Sequence, residues 1–302
     1  MDHPWVFAKS LCIFNEWWMK PLLNWNRSHD VRYTRKIRYD PGDPRLYLNL
    51  CQPKERTGGR LPVFVYIHGG GWVSGRPEHR EGFVSRIAEA GCFTMNVFYG
   101  LSPRYHHPLP IENLYKALAW LVRNAGRYDI DMTRIFVGGE SAGAHLAAAL
   151  GSISSNPEYR DRFNLPEESR NLRFSGLVLN CGVYDMEAAL NSGFPHMEGF
   201  VSAYYGKPLA GMKDDPDARS MSPGFFATRA FPRSFVITAA HDTLCESGRE
   251  FADQLDRLGV ECRRFHGTGL TAVHGFAVAQ VLPQSRAAMS GILGFLKEDV
   301  GR

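Results

Sequence analysis

Gly139-Glu140-Ser141-Ala142-Gly143 sets a serine between two glycines. A serine hydroxyl is a weak nucleophile until a base takes its proton, so the pentapeptide matters only where the backbone exposes it. Here an apolar run, Ile135-Phe136-Val137, leads in and an alanine-rich stretch, Ser141 to Leu150, leads out. That is a strand–turn–helix setting. A tight turn demands small neighbours two residues away, lifts the hydroxyl clear, and places a helix N-terminus where negative charge would develop. A second group of residues offers the complement. His68-Gly69-Gly70-Gly71-Trp72 follows the apolar run Val63 to Ile67. Three glycines leave backbone N–H groups unshielded and able to approach an anion closely. The stretch lacks the Lys-Ser/Thr of a phosphate loop and the G-x-G-x-x-G of a dinucleotide site, so a transient oxyanion is the expected guest.

A serine nucleophile needs a base and an acid to orient it, and two residues stand in suitable places after Ser141. Asp242 follows the run Phe235 to Ala239, and His274 lies in Val273-His274-Gly275-Phe276 near the C-terminal end. In such a set Ser141 attacks a carbonyl, His274 takes its proton and returns it to the leaving alcohol, and Asp242 orients the imidazole. Other residues compete for these roles. Asp185 also follows a strand and is an alternative acid. His241 adjoins Asp242 but points the opposite way in an extended segment. His266 ends a strand and is a weaker base. His145, one helical turn beyond Ser141, is read as a packing or hydrogen-bonding residue. His106-His107 has no carboxylate or cysteine partners nearby in sequence and reads as loop, so no metal is expected.

These residues need elements to hold them. Short, nearly continuous apolar runs at Val63–Ile67, Phe93–Phe98, Arg134–Val137, Gly176–Asn180 and Phe235–Ala239 read as strands buried on both faces. Between and after them fall helical stretches at Ile111–Asn124, Ser141–Leu150 and Glu246–Leu258, a strand at Glu261–Phe265, and a closing helix at Phe276–Phe295. Alternation of this kind predicts an α/β fold: a mostly parallel, doubly wound sheet. Ser141, Asp242 and His274 then share the C-terminal edge of the strands, where open α/β sheets place ligands. Ahead of the sheet, Val31–Tyr39 and Arg45–Cys51 flank Asp40-Pro41-Gly42-Asp43-Pro44 and predict a hairpin. Residues 1–30 carry Phe7, Leu11, Phe14, Trp18 and Leu22 at helical spacing, which predicts an amphipathic helix resting that face on something apolar. Asp185 to Arg233 interrupts the alternation with Gly, Pro, Met and aromatic residues, the mark of a lid or binding segment.

Composition narrows the class. The 302 residues carry 35 Lys and Arg against 31 Asp and Glu, a net +4 with no basic run, which argues against a nucleic-acid partner. Hydrophobic residues are 44 % and charged residues 22 %, the balance of a folded globule. No stretch predicts a membrane span. Six cysteines are scattered without a C-x-x-C pair, so neither a disulfide framework nor a zinc site is expected, and the chain reads as cytoplasmic.

Taken together, His68-Gly69-Gly70-Gly71-Trp72, Gly139-Glu140-Ser141-Ala142-Gly143, Asp242 and His274-Gly275-Phe276 resemble the hormone-sensitive-lipase-like esterases of the α/β-hydrolase superfamily. Tyr99-Gly100-Leu101-Ser102-Pro103, ahead of His107-Pro108 and Pro110, is similar to that family's segment between the glycine loop and the serine. The resemblance covers roughly residues 45–300. It implies an oxyanion hole of the Gly70, Gly71 and Ala142 N–H groups, no cofactor, and short-chain carboxylic esters as substrates. It also implies an α/β-hydrolase core at 31–184 and 234–302, with 1–30 and 185–233 as a helical cap. Glu140 stands where many members have Asp, and Gly143-Ala144-His145 where many have a second Gly. The stretch Ser141 to Ala148 also resembles kynurenine formamidases and isoprenylcysteine methylesterases. A formamidase or amidase, a carbohydrate acetyl esterase and a non-catalytic receptor are therefore the alternatives to a serine carboxylesterase.

For the pocket, Phe194, Met197, Phe200, Tyr204, Tyr205, Met212, Phe225 and Phe226 of the cap, with Trp5, Trp17 and Trp18, are expected to line an acyl or alcohol site, against the alternative of cap-to-core packing. Trp72 is expected to shape the site, with packing beneath the loop as its alternative. Tyr204 and Tyr205 would serve a sugar acetate equally well. No cluster of Arg or Lys converges on the motifs, so an uncharged ester is expected. The edge strand Glu261–Phe265 is where a homodimer would pair.

Overall fold

A computed structural model describes residues 4–56 and 58–298. Eight strands form one sheet: β1 (Val31–Arg38), β2 (Tyr47–Pro53), β3 (Leu61–Ile67), β4 (Phe93–Phe98), β5 (Ile130–Glu140), β6 (Gly176–Asn180), β7 (Ser234–Ala239) and β8 (Cys262–Gly267). Their order is β1-β2-β4-β3-β5-β6-β7-β8. The pairs β1–β2 and β2–β4 are antiparallel and every later pair is parallel. β3, β5, β6 and β7 are apolar on both faces because helices cover both, and Val63, Phe64, Val137, Leu177 and Ile237 are fully buried. The hairpin turn between β1 and β2 closes on side chains: the Gly42 N–H donates to Asp40 Oδ1 at 2.9 Å and the Arg45 N–H to Asp43 Oδ1 at 3.1 Å.

The helices are α1 (Pro4–Leu23), α2 (Glu81–Glu89), α3 (Leu109–Tyr128), α4 (Ala142–Ser155), α5 (Pro157–Arg160), α6 (Glu167–Arg170), α7 (Met186–Leu190), α8 (Met197–Tyr205), α9 (Pro216–Arg219), α10 (Cys245–Arg257) and α11 (Pro283–Lys297). α4 is buried over its whole length. Its alanines let it press against β5 and β6 at the centre of the sheet. The 185–233 stretch contains α7, α8 and α9 joined by turns, and α8 carries α1. Among the described residues no helix is long and apolar enough to cross a membrane.

Two sequence expectations need correction. The closing helix starts at Pro283, not Phe276; Phe276–Val278 is a separate short turn after Gly275, whose φ is +68°. Pro283 lacks an N–H and so opens a helix rather than continuing one. The helix at the N-terminal end also turns its other face inward. Ala8 and Leu23 are buried and Cys12 and Met19 partly so, whereas Phe7, Phe14, Trp18 and Leu22 are exposed. The side chain of Leu11, the remaining member of the expected face, lies outside the described residues.

Candidate active site

β5 ends at Glu140 and α4 begins at Ala142, so Ser141 alone makes the turn between them. Its backbone sits at φ 56°, ψ −123°, a conformation unfavourable for a residue with a side chain. The Ser141 N–H is held by Asn180 O at 2.9 Å, at the end of the neighbouring strand. Gly143 is where this turn has no room: a Cβ there would lie 2.0 Å from Ile67 O. The start of α4 therefore rests directly on the end of β3, and the strand end carries the glycine loop.

In that loop Gly70 and Gly71 have φ of 116° and 58°, and Trp72 follows at 62°. Gly70 O is the loop's anchor, accepting from the Val73 N–H at 3.1 Å, the Ser74 N–H at 3.0 Å and Ser74 Oγ at 3.0 Å. Gly71 passes beneath α8, where a Cβ would meet Phe200 Cδ1 at 2.6 Å. The loop's other anchor is Glu140. Its Oε1 accepts the Gly69 N–H at 2.9 Å and Arg80 Nε at 2.5 Å, and its Oε2 accepts the Tyr66 hydroxyl. All three side chains are buried. One carboxylate thus ties the turn that carries Ser141 to the loop that carries Gly70 and Gly71.

Asp242 and His274 come from the loops after β7 and β8. His274 Nδ1 lies 2.9 Å from Asp242 Oδ2, and Asp242 Oδ1 accepts the Leu244 N–H at 3.0 Å. Burial raises the Asp242 carboxyl, but the His274 hydrogen bond and charge, the Leu244 N–H and the Cys181 thiol outweigh it and hold the carboxyl below its ordinary value. His274 Nε2 is buried and has no hydrogen-bond partner. Phe194 of the 185–233 stretch stands edge-on to its ring, with centroids 4.7 Å apart. An imidazole fixed through Nδ1 with a bare Nε2 is a base waiting for a proton donor.

The ligating atoms of Cys181, Asp242 and His274 all lie within 4.8 Å of one another. Cys181 sits just past β6 at φ 50°. Burial, reinforced by the Asp242 charge, pushes its thiol well above the ordinary value. A thiol held protonated donates to a carboxylate and makes a poor metal ligand, which would have to be the thiolate. The trio fits an orienting hydrogen-bond set better than a metal centre.

These groups share one cleft of about 520 Å³, lined among others by Gly70, Gly71, Ser141, Ala142 and His274. Phe194, Met197 and Phe200 of the 185–233 stretch line it, with Cys12, Met19, Leu22 and Leu23 from α1. Trp5, Trp17, Trp18, Met212, Phe225 and Phe226 are not among its walls. Nor are Tyr204 and Tyr205, and this corrects their expected role. Tyr204 is fully buried beneath Trp72, stacked on it at 4.9 Å, and the Tyr205 hydroxyl turns away to Asp215. Trp72 does both things expected of it as alternatives. It borders the cleft, yet it is 2 % exposed and packs under the loop, its indole N–H donating to His145 Nδ1 at 3.1 Å. His145 Nε2 in turn donates to Met221 O at 2.7 Å. Burial lowers its pKa to about 4, so the ring is a neutral brace between α4, the glycine loop and Met221.

The other candidates fall elsewhere. Asp185 caps α7, accepting the Glu187 N–H at 2.8 Å. His241 is exposed, and His266 Nδ1 meets Thr238 Oγ1 at 3.0 Å on the outer part of the sheet. His107 reaches the 185–233 stretch, with Nε2 2.6 Å from Ser220 Oγ, and burial lowers its pKa to about 3. Sequence reasoning missed Arg80 and the work of Glu140 and Cys181. Glu140 carried a faint signal, a carboxylate forced to bury beside the serine.

A family model described as the alpha/beta hydrolase fold matches residues 64–278. The chain is 29 % identical over 279 residues to esterase LipQ of Mycobacterium tuberculosis, covering 89 % of this chain and 63 % of that protein. It therefore spans less than two thirds of that relative's length. Carboxylesterase NlhH of the same organism is 27 % identical over 243 residues, 78 % of this chain and 73 % of that one. A solved esterase of Pyrobaculum calidifontis superposes with a TM-score of 0.75 at 27 % identity, covering 100 % of this chain and 95 % of that one.

Proposed function

The chain belongs to the α/β-hydrolase-fold family, and on that footing we propose that it is a serine carboxylesterase acting on small, uncharged, short-chain acyl esters through an acyl-enzyme. The observation that carries this reading is the unpartnered Nε2 of His274, fixed from behind by Asp242 at 2.9 Å and facing the same cleft as Ser141. Ser141 Oγ attacks the ester carbonyl carbon as its proton passes to His274 Nε2. The tetrahedral oxyanion is received by the N–H groups of Gly70, Gly71 and Ala142, with the α4 N-terminus behind the last. Collapse breaks the bond to the alcohol, which leaves with the proton from His274. Water then repeats the sequence on the acyl-enzyme and releases the acid. The named esterases among its relatives support ester cleavage. Among the described residues the one Lys or Arg in the cleft wall, Arg80, is held by Glu140, which fits an uncharged substrate. We read 1–30 and 185–233 as the cap over this site.

The test is turnover of p-nitrophenyl esters from acetate to dodecanoate by the wild type and by Ser141→Ala. Short esters are expected to turn over, with a loss of about 10⁴-fold or more in the variant because the three residues act as a unit. A variant within tenfold of the wild type would exclude Ser141 as nucleophile. Inactivity of the folded wild type on every ester would exclude the esterase.

A further inference from the structure

The helix that roofs the cleft is apolar on both sides. At 100° per residue, Phe7, Phe14 and Trp18 fall within about 40° of one another, and the inward Ala8, Cys12, Met19 and Leu23 centre on roughly the opposite side. Phe7, Phe14, Trp17, Trp18 and Trp25 are each 61–77 % exposed. Most of the large exposed apolar side chains among the described residues lie on this one segment. Scattered exposed aromatics need no explanation, but a contiguous aromatic face on one helix does.

The charge of the chain gathers at the same end. Residues 1–38 hold seven Lys and Arg against three Asp and Glu, an excess of +4 equal to that of all 302 residues. Glu81 takes up Arg27 and Arg35, and Glu78 takes up Lys36. Beyond those pairs, Lys9 and Lys20 stand on α1 itself, Lys20 exposed and Lys9 partly so. Tryptophan and phenylalanine exposed on a helix that also carries Lys9 and Lys20, in the stretch that holds the chain's basic excess, is the composition of a helix that lies in a lipid interface.

We propose that α1 and the turn after it dock the protein on an anionic lipid surface, with Phe7, Phe14, Trp17, Trp18 and Trp25 entering the headgroup–acyl boundary and Lys9 and Lys20 meeting lipid phosphates. This is peripheral binding, not a span. Leu22 belongs to both sides, since it lines the cleft and is exposed. Docking thus brings the cleft mouth to the surface where apolar esters dissolve. That last consequence rests on the esterase reading; the docking does not.

The test uses the full chain carrying Ser141→Ala, so that lipid binding is read without hydrolysis. Vesicles of phosphatidylcholine with about 30 % phosphatidylglycerol are expected to co-sediment the protein, with weaker binding to phosphatidylcholine alone and loss at high salt. Adding Phe14→Ser, Trp18→Ser and Trp25→Ser is expected to weaken binding at least tenfold with an unchanged unfolding midpoint. Should that variant unfold, brominated lipids must still quench the tryptophan emission of the parent chain. Absence of binding to any vesicle, binding indifferent to the three substitutions in a folded variant, or no quenching by brominated lipid would overturn the proposal. So would a stable dimer in solution that buries these tryptophans against a second copy.

Discussion

Glu140→Gln tests whether one carboxylate holds the turn and the glycine loop together. In the native protein Glu140 is 3 % exposed and accepts from three donors: the Gly69 N–H at 2.9 Å, Arg80 Nε at 2.5 Å and the Tyr66 hydroxyl. The amide keeps the shape but has one acceptor oxygen in place of two and no charge. The Arg80 guanidinium, whose side chain is only 9 % exposed, loses its carboxylate. Breaking a buried ion pair from one side costs about 3–5 kcal/mol. The neutral amide retains one of the remaining hydrogen bonds, worth about 1 kcal/mol, so the expected loss is about 3 kcal/mol. Chemical denaturation reads this directly. Arg80→Met should cost a similar amount, and the double variant should recover about 2 kcal/mol of the sum, because no charge is then stranded. The kinetic consequence is separate. Gly69 leads into the loop that would receive the oxyanion, and a displacement of about 1 Å there costs on the order of 10²-fold. On p-nitrophenyl acetate the loss should fall mainly on kcat. Single variants that each cost under about 0.5 kcal/mol, with additive energies and unaltered kcat, would refute the reasoning.

Two further outcomes follow from the same geometry. His145 and His107 are buried neutral, with pKa values lowered by burial to about 4 and about 3. The unfolded chain therefore binds more protons than the folded one below about pH 6.5, so stability must fall as the pH drops from 6.5 towards 4, by on the order of 3 kcal/mol for each ring. Urea melts at pH 7 and pH 4 check this, and His145→Asn should flatten the dependence. Gly71→Ala puts a Cβ 2.6 Å from Phe200 Cδ1 at a φ of 58°. The loop must shift, and kcat/KM should fall by about 10²-fold or more, as when an oxyanion donor is removed; a kcat/KM near wild type would remove Gly71 from the oxyanion hole.

Most of the sheet was legible because burial on both faces writes itself as short apolar runs. Phe93–Phe98 and Gly176–Asn180 are strands to the residue. β5 was read short, since its first residues, Ile130 to Thr133, hold two polar side chains and only Ile130 is buried there. The face of α1 was misread for a physical reason. Periodicity selects the most hydrophobic stripe, Phe7, Phe14, Trp18 and Leu22, whereas close packing selects small residues. Ala8 and Cys12 turn inward on a helix that lies against α8, and where the chain leaves α1 a Cβ on Gly82 would be 2.2 Å from Leu23 O. Tyr204 and Tyr205 carried no sign of direction, because an aromatic in a segment that covers a cleft suits a cleft wall and a buried stack alike.

The candidate site was legible as separate motifs, and its coupling was not. A glycine loop at 68–72 and a serine turn at 139–143 lie some 70 residues apart in sequence, and nothing in either names the other. Adjacent strands bring them together: β3 and β5 run parallel in register, with Ile67 opposite Gly139. The next residue on β5 is then Glu140, level with the start of the loop that leaves β3. Its side chain has no water to face there, so it is retained only if donors converge on it. Gly69, Tyr66 and Arg80 supply them. The residue beside the serine is thus chosen by the neighbouring strand's loop rather than by the reaction. An aspartate at 140, one methylene shorter, would not reach both the Gly69 N–H at 2.9 Å and Arg80 Nε at 2.5 Å without a shift of the loop or of Arg80.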